Sequence, residues 1–494
     1  SLLALLSVPF FSTQTFAAEC EPGTVPTTGC SIAVSDITYT LTGDITSGPE
    51  SAGIYFASDN AIVNYTGAIS ASTNGVAFDI NDDNNTMNMT GNINIAAETA
   101  ARHGVLFNSD ENNTFNLTGN ILTANELGIG VYYAVGSANT AEVEGNITTT
   151  GDRGHGIAFE NSTLNNHNQT GNITTSGDNA FGIFLLTDGD SNTINMTGNI
   201  TTSGEGSHGI YSLDSDSNTY TVIGDITTSG DNARGLYIKR SNSNTINMTG
   251  NVTTTSDGAY GMRLNDSDSN NITINGNITT SGTDGDSEAI FINNSDSNTI
   301  TLSGSVQALG GDDQAIYISA NSAANTFIIE SGATFLGDLE NLGTNTVITN
   351  QGVMDGIENA GSIATFNNAQ TGATYSGTLP VNYNIIINSP TEYGSTIFSN
   401  ATGTTTFGLD TVNSTGISGG YYSDILSGLG TPPLLTAVEG NTGSRYWEII
   451  DSDSDNTLDL NLSYVGNQTI TSDISYTKNG AYGFWMKAVS YTPL

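Results

Sequence analysis

The chain has 494 residues, with 9 lysine and arginine residues against 49 aspartate and glutamate residues, and its formal net charge is −40 at pH 7. Such a charge repels nucleic acids and anionic membrane surfaces, which excludes nucleic-acid binding as the function. Glycine is frequent, at 58 residues, but apolar residues make up 36% of the chain and are regularly placed, so we predict a folded protein and not a disordered one.

The first residues indicate an exported protein. An apolar run from Leu2 to Phe11 is followed by the small residues Ala17 and Ala18, a pattern typical of the end of a secretory signal peptide. The run is too short for a membrane-spanning helix, which needs about 20 apolar residues. We assign residues 1–18 to a signal peptide that lacks its basic start.

Cys20 and Cys30 are the only two cysteines, and both follow the signal peptide directly. An exported chain meets an oxidising compartment, where such a pair closes a small loop. We expect residues 19–36 to form an N-terminal cap held by a disulfide between Cys20 and Cys30. The alternative is a pair of free thiols.

Three columns of residues repeat along the chain with a period of about 26 positions, as in stacked repeat proteins. A second glycine column starts at Gly104 and ends with Ala289 and Ala315, and an asparagine column runs from Asn85 to Asn325. Both have the same period as the first glycine column. Three turn residues per period leave room for three short strands and no helix. The first glycine column, with intervals of 24 to 28 residues, consists of Gly43, Gly67, Gly91, Gly119, Gly145, Gly171, Gly198, Gly224, Gly250, Gly276 and Gly304.

One period, residues 192–217, shows the strand pattern. Ile194 and Met196 alternate with polar residues, which is typical of a strand with one buried face. A single rung cannot bury that face, whereas rungs stacked about 4.8 Å apart enclose a continuous core. Asparagine at a fixed corner favours stacking, because side-chain amides hydrogen-bond to their copies above and below. We therefore predict an all-β fold, a right-handed parallel β-helix with three short strands per rung over residues 37–403.

The pattern changes after residue 403. We predict a strand-rich C-terminal cap over residues 404–466, because the open edge of a stack of strands needs cover. A linker over residues 467–494 follows it. The segments predicted as antiparallel strands of the cap are Thr404–Leu409, Tyr421–Leu426, Tyr446–Ile450 and Leu458–Leu462.

A signal peptide, a β-helix rich in glycine, asparagine and threonine, few cysteines and a strand-rich cap together resemble the passenger region of a classical (type V) bacterial autotransporter. The resemblance covers nearly the whole chain and rests on architecture and composition. It implies a Gram-negative protein at the cell surface, in the outer membrane or secreted after cleavage, whose residues 404–466 promote folding of the stack. It also implies a C-terminal β-barrel that the sequence lacks; residues 483–488 are similar to the start of a first barrel strand.

The third strand of each rung presents a column of outward residues. Ile183 and Leu185 point inward, which places Phe184 between them on the outside. An exposed stripe of rings stacks on sugars or packs against a partner surface. The alternative is that the rings stack on each other for stability alone. The aromatic members proposed for binding are Tyr132, Phe184, Tyr211, Tyr237, Phe291 and Tyr317.

Residues for other site chemistry are sparse. We interpret the histidines as exposed, variable positions too far apart to share a metal ion, and we expect no cofactor. A β-helix enzyme acting on acidic polysaccharides needs basic residues, and those of the repeat lie at scattered rung positions. The histidines are His103, His155, His167 and His208, and the basic residues are Arg102, Arg153, Arg234, Lys239, Arg240 and Arg263.

Acidic corner residues precede the asparagine column. Carboxylate oxygens stacked at rung spacing are suitable ligands for Ca²⁺ between turns. Runs of aspartate, serine and asparagine are also ordinary turn formers, and we favour solvated turns over calcium sites. The candidate calcium ligands are Asp190, Asp216, Asp268 and Asp296.

The sequence alone favours a non-catalytic surface protein, an adhesin or self-associating stalk that contacts a glycan, a host protein or a second copy of itself. The alternative is a secreted β-helix enzyme that acts on a polysaccharide. A weaker third hypothesis is ice or mineral binding through threonine pairs such as Thr174–Thr175 and Thr201–Thr202, whose columns are interrupted.

Overall fold

The computed structural model describes residues 18–47, 52–78, 83–96, 101–283, 287–310, 314–430, 433–451 and 457–464. Within these residues the chain is all-β and winds through about 14 turns of ~26 residues each. The predicted parallel β-helix is therefore confirmed. The described part holds no helix that could span a membrane. Residues 1–17 of the predicted signal peptide and the predicted linker 467–494 lie outside the described residues.

Each regular turn contributes one strand to each of three parallel sheets, named here in chain order. The strands of sheet 1 are Gly23–Thr24, Thr38–Thr42, Ile62–Thr66, Thr86–Thr90, Thr114–Thr118, Thr140–Glu144, Asn166–Thr170, Thr193–Thr197, Thr219–Ile223, Thr245–Thr249, Asn271–Asn275, Thr299–Leu302, Thr326–Ile329, Thr346–Asn350, Ile363–Asn368, Asn382–Ile385 and Thr406–Leu409. Those of sheet 2 are Ile45–Ser47, Ile69–Ala71, Ile93–Ile95, Ile121–Thr123, Ile147–Thr149, Ile173–Thr175, Ile200–Thr202, Ile226–Thr228, Val252–Thr254, Ile278–Thr280, Ser305–Ala308, Thr334–Leu336 and Val353–Met354.

Sheet 3 carries the parallel strands of the third side and, at its end, the antiparallel strands of the C-terminal cap. Its strands are Ala18–Glu19, Cys30–Ile32, Ile54–Phe56, Val76–Phe78, Val105–Glu111, Val131–Ser137, Ile157–Glu160, Ser162–Thr163, Ile183–Leu186, Ile210–Leu213, Leu236–Lys239, Met262–Asn265, Ile290–Asn293, Gln314–Ile318, Asp338–Asn341, Ile357–Asn359, Ala373–Thr378, Thr396–Thr402, Gly420–Ser427, Glu439–Thr442, Arg445–Ile450 and Thr457–Tyr464. A separate small hairpin joins Ile387–Ser389 to Glu392–Tyr393.

The register of the rungs follows from which residues are apolar. Ile194, Ile200 and Ile210 of one rung are fully buried, and each lies directly against its equivalent in the next rung. A shift by one residue would turn this face outward, so the core fixes the register. Burying one such side chain contributes about 1.5–3 kcal/mol.

The glycine column is required by close backbone packing at the corner between sheets 1 and 2. Gly198 has a φ of +141°, which side chains rarely adopt. A Cβ at this position would also overlap the backbone oxygen of Gly171 in the preceding rung. Glycine is thus needed both for conformation and for space.

The asparagine column forms a buried ladder. The backbone N–H of Asn192 donates to Oδ1 of Asn218 one rung later at 2.8 Å, and Asn218 repeats the bond to Asn244 at 2.8 Å. These side chains are at most 1% exposed. Each satisfies a backbone donor that turns inward at the corner, where an unpaired N–H is costly.

The stack extends beyond the predicted bounds at both ends, and a disulfide lies in its first turn. Cys20 and Cys30 form a disulfide with a Cα–Cα distance of 5.0 Å. Cys30–Ile32 already pairs in parallel with Ile54–Phe56, so the stack begins earlier than the predicted residue 37. At the other end Thr406–Leu409 pairs in parallel with Asn382–Ile385, which corrects its assignment as an antiparallel cap strand.

The C-terminal cap grows out of the last rung. Gly420–Ser427 pairs in parallel with Thr396–Thr402 and antiparallel with Thr457–Tyr464. Arg445–Ile450 then adds antiparallel to Thr457–Tyr464. The change from parallel to antiparallel pairing ends the repeat, and the buried Trp447 packs on Phe407 at a centroid distance of 5.1 Å.

Candidate binding surfaces

The predicted aromatic stripe faces away from the central core but is mostly buried, so the expectation of an exposed stripe is wrong. Tyr132, Phe184, Tyr211 and Tyr237 are only 5% to 8% exposed and belong to a second hydrophobic cluster, separate from the core between the sheets. Phe291 and Tyr317 are half-buried.

Two neighbouring columns cover each other and cause this burial. Within the stripe, Tyr211 and Tyr237 stack at 4.8 Å with an interplanar angle of 4°. The residues that precede the second glycine column pack over them: Phe181 contacts Phe184 at 4.8 Å and His208 contacts Tyr211 at 5.1 Å. The stripe therefore stabilises the stack, as the alternative interpretation supposed.

The histidines are buried, which corrects their interpretation as exposed positions. His103, His155 and His208 are 2% to 5% exposed and belong to the covering column. Their Nδ1 atoms accept backbone N–H groups from the following rung at distances of 3.0 to 3.2 Å. Burial lowers the pKa of His103 and of His155 to about 3, so both are neutral acceptors at physiological pH.

His167 occupies a different position, inside the central core. It is fully buried, and its Nδ1 lies 3.2 Å from the hydroxyl oxygen of Tyr133. Burial lowers the pKa of His167 to about 4. None of the four histidines is thus exposed.

The acidic corner column acts as a second hydrogen-bond ladder. Oδ1 of Asp190 accepts the backbone N–H of Asp216 at 2.6 Å, and Oδ1 of Asp268 accepts that of Asp296 at 2.7 Å. Oδ1 of Asp296 accepts the N–H of Ala323 at 2.7 Å. The carboxylates proposed as calcium ligands therefore cap backbone donors, and among the described residues no group of three or more His, Cys, Asp or Glu side chains is arranged to hold a metal ion.

The outer face of sheet 1 forms a shallow groove over the N-terminal rungs, with a volume of about 500 Å³. An amide ladder runs along its floor: Nδ2 of Asn88 donates to Oδ1 of Asn64 at 2.9 Å, and Nδ2 of Asn116 donates to Oδ1 of Asn88 at 2.8 Å. The lining residues are Thr40, Asn64, Tyr65, Thr66, Asn88, Met89, Thr90, Asn116, Leu117, Thr118, Glu142 and Glu144. Sequence analysis missed this surface, although outward Asn and Thr residues recur at most of these strand positions and signal it.

On the outer face of sheet 2, each strand from Ile147–Thr149 to Ile278–Thr280 carries one outward threonine hydroxyl. Thr174 and Thr201 face solvent and lie in register, while Thr175 and Thr202 are buried. The hydroxyl of Thr175 donates to the backbone oxygen of Ala180 at 2.7 Å. Only one member of each threonine pair is therefore available to a ligand.

The basic residues are not evenly scattered. Four of them lie up to 29 positions apart in the sequence but on two successive rungs of sheet 3: Arg234, Lys239, Arg240 and Arg263. Arg234, Arg263 and Lys239 all lower the pKa of the buried His208. Arg263 also lowers the pKa of Arg234. This concentration of positive charge corrects the interpretation that the cations are dispersed.

Comparisons with known proteins find similar solved structures but no similar sequence. No protein-family model matches the chain, and no curated protein matches it. Among solved structures, the A-module of the Azotobacter vinelandii mannuronan C-5 epimerase AlgE6 is similar, with a TM-score of 0.31 and 12% sequence identity. The match covers 64% of this chain and 90% of that module. Similarity at this level supports no inference about activity.

Proposed function

We propose that the protein is a non-catalytic adhesin, displayed at the surface of a bacterium, that binds a neutral glycan in the groove on sheet 1. The observation that carries the proposal is the row of amides and hydroxyls repeated at the rung spacing of about 4.8 Å. A sugar polymer also presents hydroxyl groups at regular intervals along its length. A regular polymer can therefore contact several rungs of the groove at once.

The side chains of the groove floor have unused hydrogen-bonding capacity. Each asparagine amide provides two N–H donors and a carbonyl oxygen with two lone pairs. The ladder bonds of Asn88 use one donor and one lone pair, and the side chain is half-buried. The remaining donor and acceptor sites suit sugar hydroxyls, which also both donate and accept.

Charge selects among glycans. The chain has a net charge of −40, and Glu142 and Glu144 are exposed at one end of the groove. Carboxylates at this position repel an acidic sugar chain. A neutral oligosaccharide is therefore the ligand class that fits the groove.

The test compares matched asparagine variants of the full chain in a binding titration with neutral oligosaccharides. Asn88→Ala/Asn116→Ala removes two groove amides, and we expect at least a tenfold loss of affinity, about 1.4 kcal/mol. The control is Asn195→Ala, which loses the same type of ladder bond, to Asn168 at 2.8 Å, outside the groove. Equal losses in both variants, or no neutral glycan bound by the wild type, would refute the proposal.

Surface display is supported by the N-terminal region. The apolar run Leu2–Phe11 is typical of export, and the disulfide between Cys20 and Cys30 suits an oxidising compartment. Digestion of intact cells by added protease measures the location. Loss of the full-length chain is expected, and complete protection on intact cells would contradict display.

The second candidate function is polysaccharide hydrolysis, and one observation favours it. Glu142 and Glu144 are alternate residues of one strand, so both point outward at the groove, about 6.6 Å apart along the backbone. Pairs of carboxylates at about 5–10 Å hydrolyse glycosidic bonds. Reducing ends released by the wild type but not by Glu142→Gln or Glu144→Gln would establish the enzyme and overturn the non-catalytic adhesin.

A further inference from the structure

Arg234 and Arg263 lie in the two columns that cover the side of sheet 3, and their guanidinium groups share the same aromatic rings. The Cζ of Arg234 is 4.7 Å from the ring centroid of Tyr237 and 5.4 Å from that of Tyr260. The Cζ of Arg263 is 5.8 Å and 5.0 Å from the same two centroids, and 5.0 Å from that of Phe291. The rings hold two cations side by side.

This pair of charges has no acidic partner among the described residues. The ion pairs of that part of the chain join Arg153 to Glu126 and Arg240 to Asp214, and neither includes Arg234 or Arg263. Burial and the nearby Arg263 lower the pKa of Arg234. Guanidinium groups nevertheless remain charged near neutral pH, so the two repel each other in the free protein.

The donors available to a ligand are the terminal nitrogens. The Nε atoms of Arg234 and Arg263 are buried without a hydrogen-bond partner, whereas both residues as a whole are only half-buried. Arg234 uses Nη1 for a bond to the backbone oxygen of Asn232 at 3.2 Å. Arg263 makes no side-chain hydrogen bond within the described residues, which leaves its outer edge open.

We propose that Arg234 and Arg263 form a binding site for one anionic group, a carboxylate or a sulfate, carried by a sugar. An anion between the two guanidinium groups replaces their repulsion with charge-assisted hydrogen bonds. Arginine binds planar or tetrahedral oxyanions of this kind through two parallel N–H groups. This site is separate from the sheet 1 groove and does not depend on the function proposed for it.

The surroundings define the rest of the ligand. Beyond Arg263 along the axis, the half-buried Phe291 and Tyr317 stack at 5.2 Å and offer an apolar edge to the face of a sugar ring. The exposed Asp257 and Asp266 lie on the adjoining loops, and the buried Glu288 follows Tyr260 in the covering column. These carboxylates repel further negative charge. The site thus suits a single acidic sugar unit and disfavours polyanions.

The column pattern itself supplies variants that keep the fold. Arg263→Tyr places in the stripe the residue that Tyr237 already provides one rung earlier, and Arg234→Phe matches Phe181 of the covering column. Both retain the stacking area while removing the charge. Arg153→Gln is the control, because it removes an arginine of the same stack that is already paired with Glu126.

The experiment is a calorimetric titration of the full chain with glucuronic acid, glucose 6-sulfate and glucose. The wild type is expected to bind one or both acidic sugars and not glucose, more weakly as salt increases. Arg263→Tyr and Arg234→Phe should each lose at least tenfold in affinity, with Arg153→Gln unchanged. Equal binding of glucose, or unchanged binding by both site variants, would overturn the site.

Two further arms separate related explanations. Titrations with sodium acetate and sodium sulfate test the anion alone. If these anions bind as tightly as the acidic sugars, the ligand is an anion and not an acidic sugar, which would overturn that part of the proposal. Asn88→Ala/Asn116→Ala should leave acidic-sugar binding unchanged. Failure of the groove proposal is therefore distinguishable from failure of this one.

Discussion

Lowering the pH from 7 to 5 should destabilise the β-helix through its buried histidines. His103 and His155 have a folded-state pKa of about 3, against an ordinary value of 6.5. Between these values the unfolded chain binds more protons than the folded chain, so stability that is present above pH 6.5 falls as the pH drops. Each of the two histidines should cost about 2 kcal/mol at pH 5.

Another residue of the covering column shows that asparagine can replace histidine and still accept the backbone N–H of the next rung. Oδ1 of Asn74 accepts the N–H of His103 at 2.8 Å, the same role that His103 and His155 perform with Nδ1 one rung later. His103→Asn/His155→Asn should therefore fold, yet lose about 4 kcal/mol of the pH dependence between pH 7 and 5.

The assay is guanidinium unfolding followed by circular dichroism, for wild type and variant at both pH values. Carboxylates titrate in both proteins, so the difference between their pH dependences isolates the histidines. Ring-carbon NMR shifts of the two histidines should stay at the neutral values down to pH 5. Identical pH dependence of the two proteins, or ring titration near pH 6.5, would refute the reasoning.

Three further perturbations test the stack. Gly198→Ala should destabilise by more than about 2 kcal/mol, because strain and overlap with the preceding rung add up, whereas Gly332→Ala, with φ +92° and open space, should cost less in the same thermal unfolding assay. Asn218→Ala should cost about 1–3 kcal/mol in denaturant unfolding by leaving a buried backbone N–H without its acceptor; no change would contradict the ladder. Reducing the Cys20–Cys30 disulfide should cost about 2–4 kcal/mol, detected as earlier proteolysis of the N-terminal rungs, and unchanged proteolysis would show that the cap is held by other contacts.

The sequence predicts the fold well because periodicity is directly visible in it. Glycine and asparagine recur at the corners of the rungs, where backbone conformation and hydrogen bonding require them. The alternation around Ile194 and Met196 shows which face of the strand is buried. These are local properties of one rung. They determine the sheets, the register and the core without knowledge of any long-range contact.

The surface was harder to predict, since exposure depends on neighbours in the loops. The position of Phe184 outside the core follows from alternation, but its burial depends on Phe181, which packs over it from the loop that precedes the same strand. Likewise Arg234 and Arg263 look distant along the chain, and only the register places them on the same rings. Both columns recur with the period of about 26 residues, but that period does not show that one column packs over the other.

The most direct test of the glycan-binding account is to locate a bound ligand on the rod. A neutral oligosaccharide carrying a photoreactive group would be cross-linked to the full chain, and the labelled peptides identified by mass spectrometry. The account predicts labels on the groove strands Thr86–Thr90 and Thr114–Thr118. Labels confined to sheets 2 or 3, or spread evenly over the rod, would contradict it.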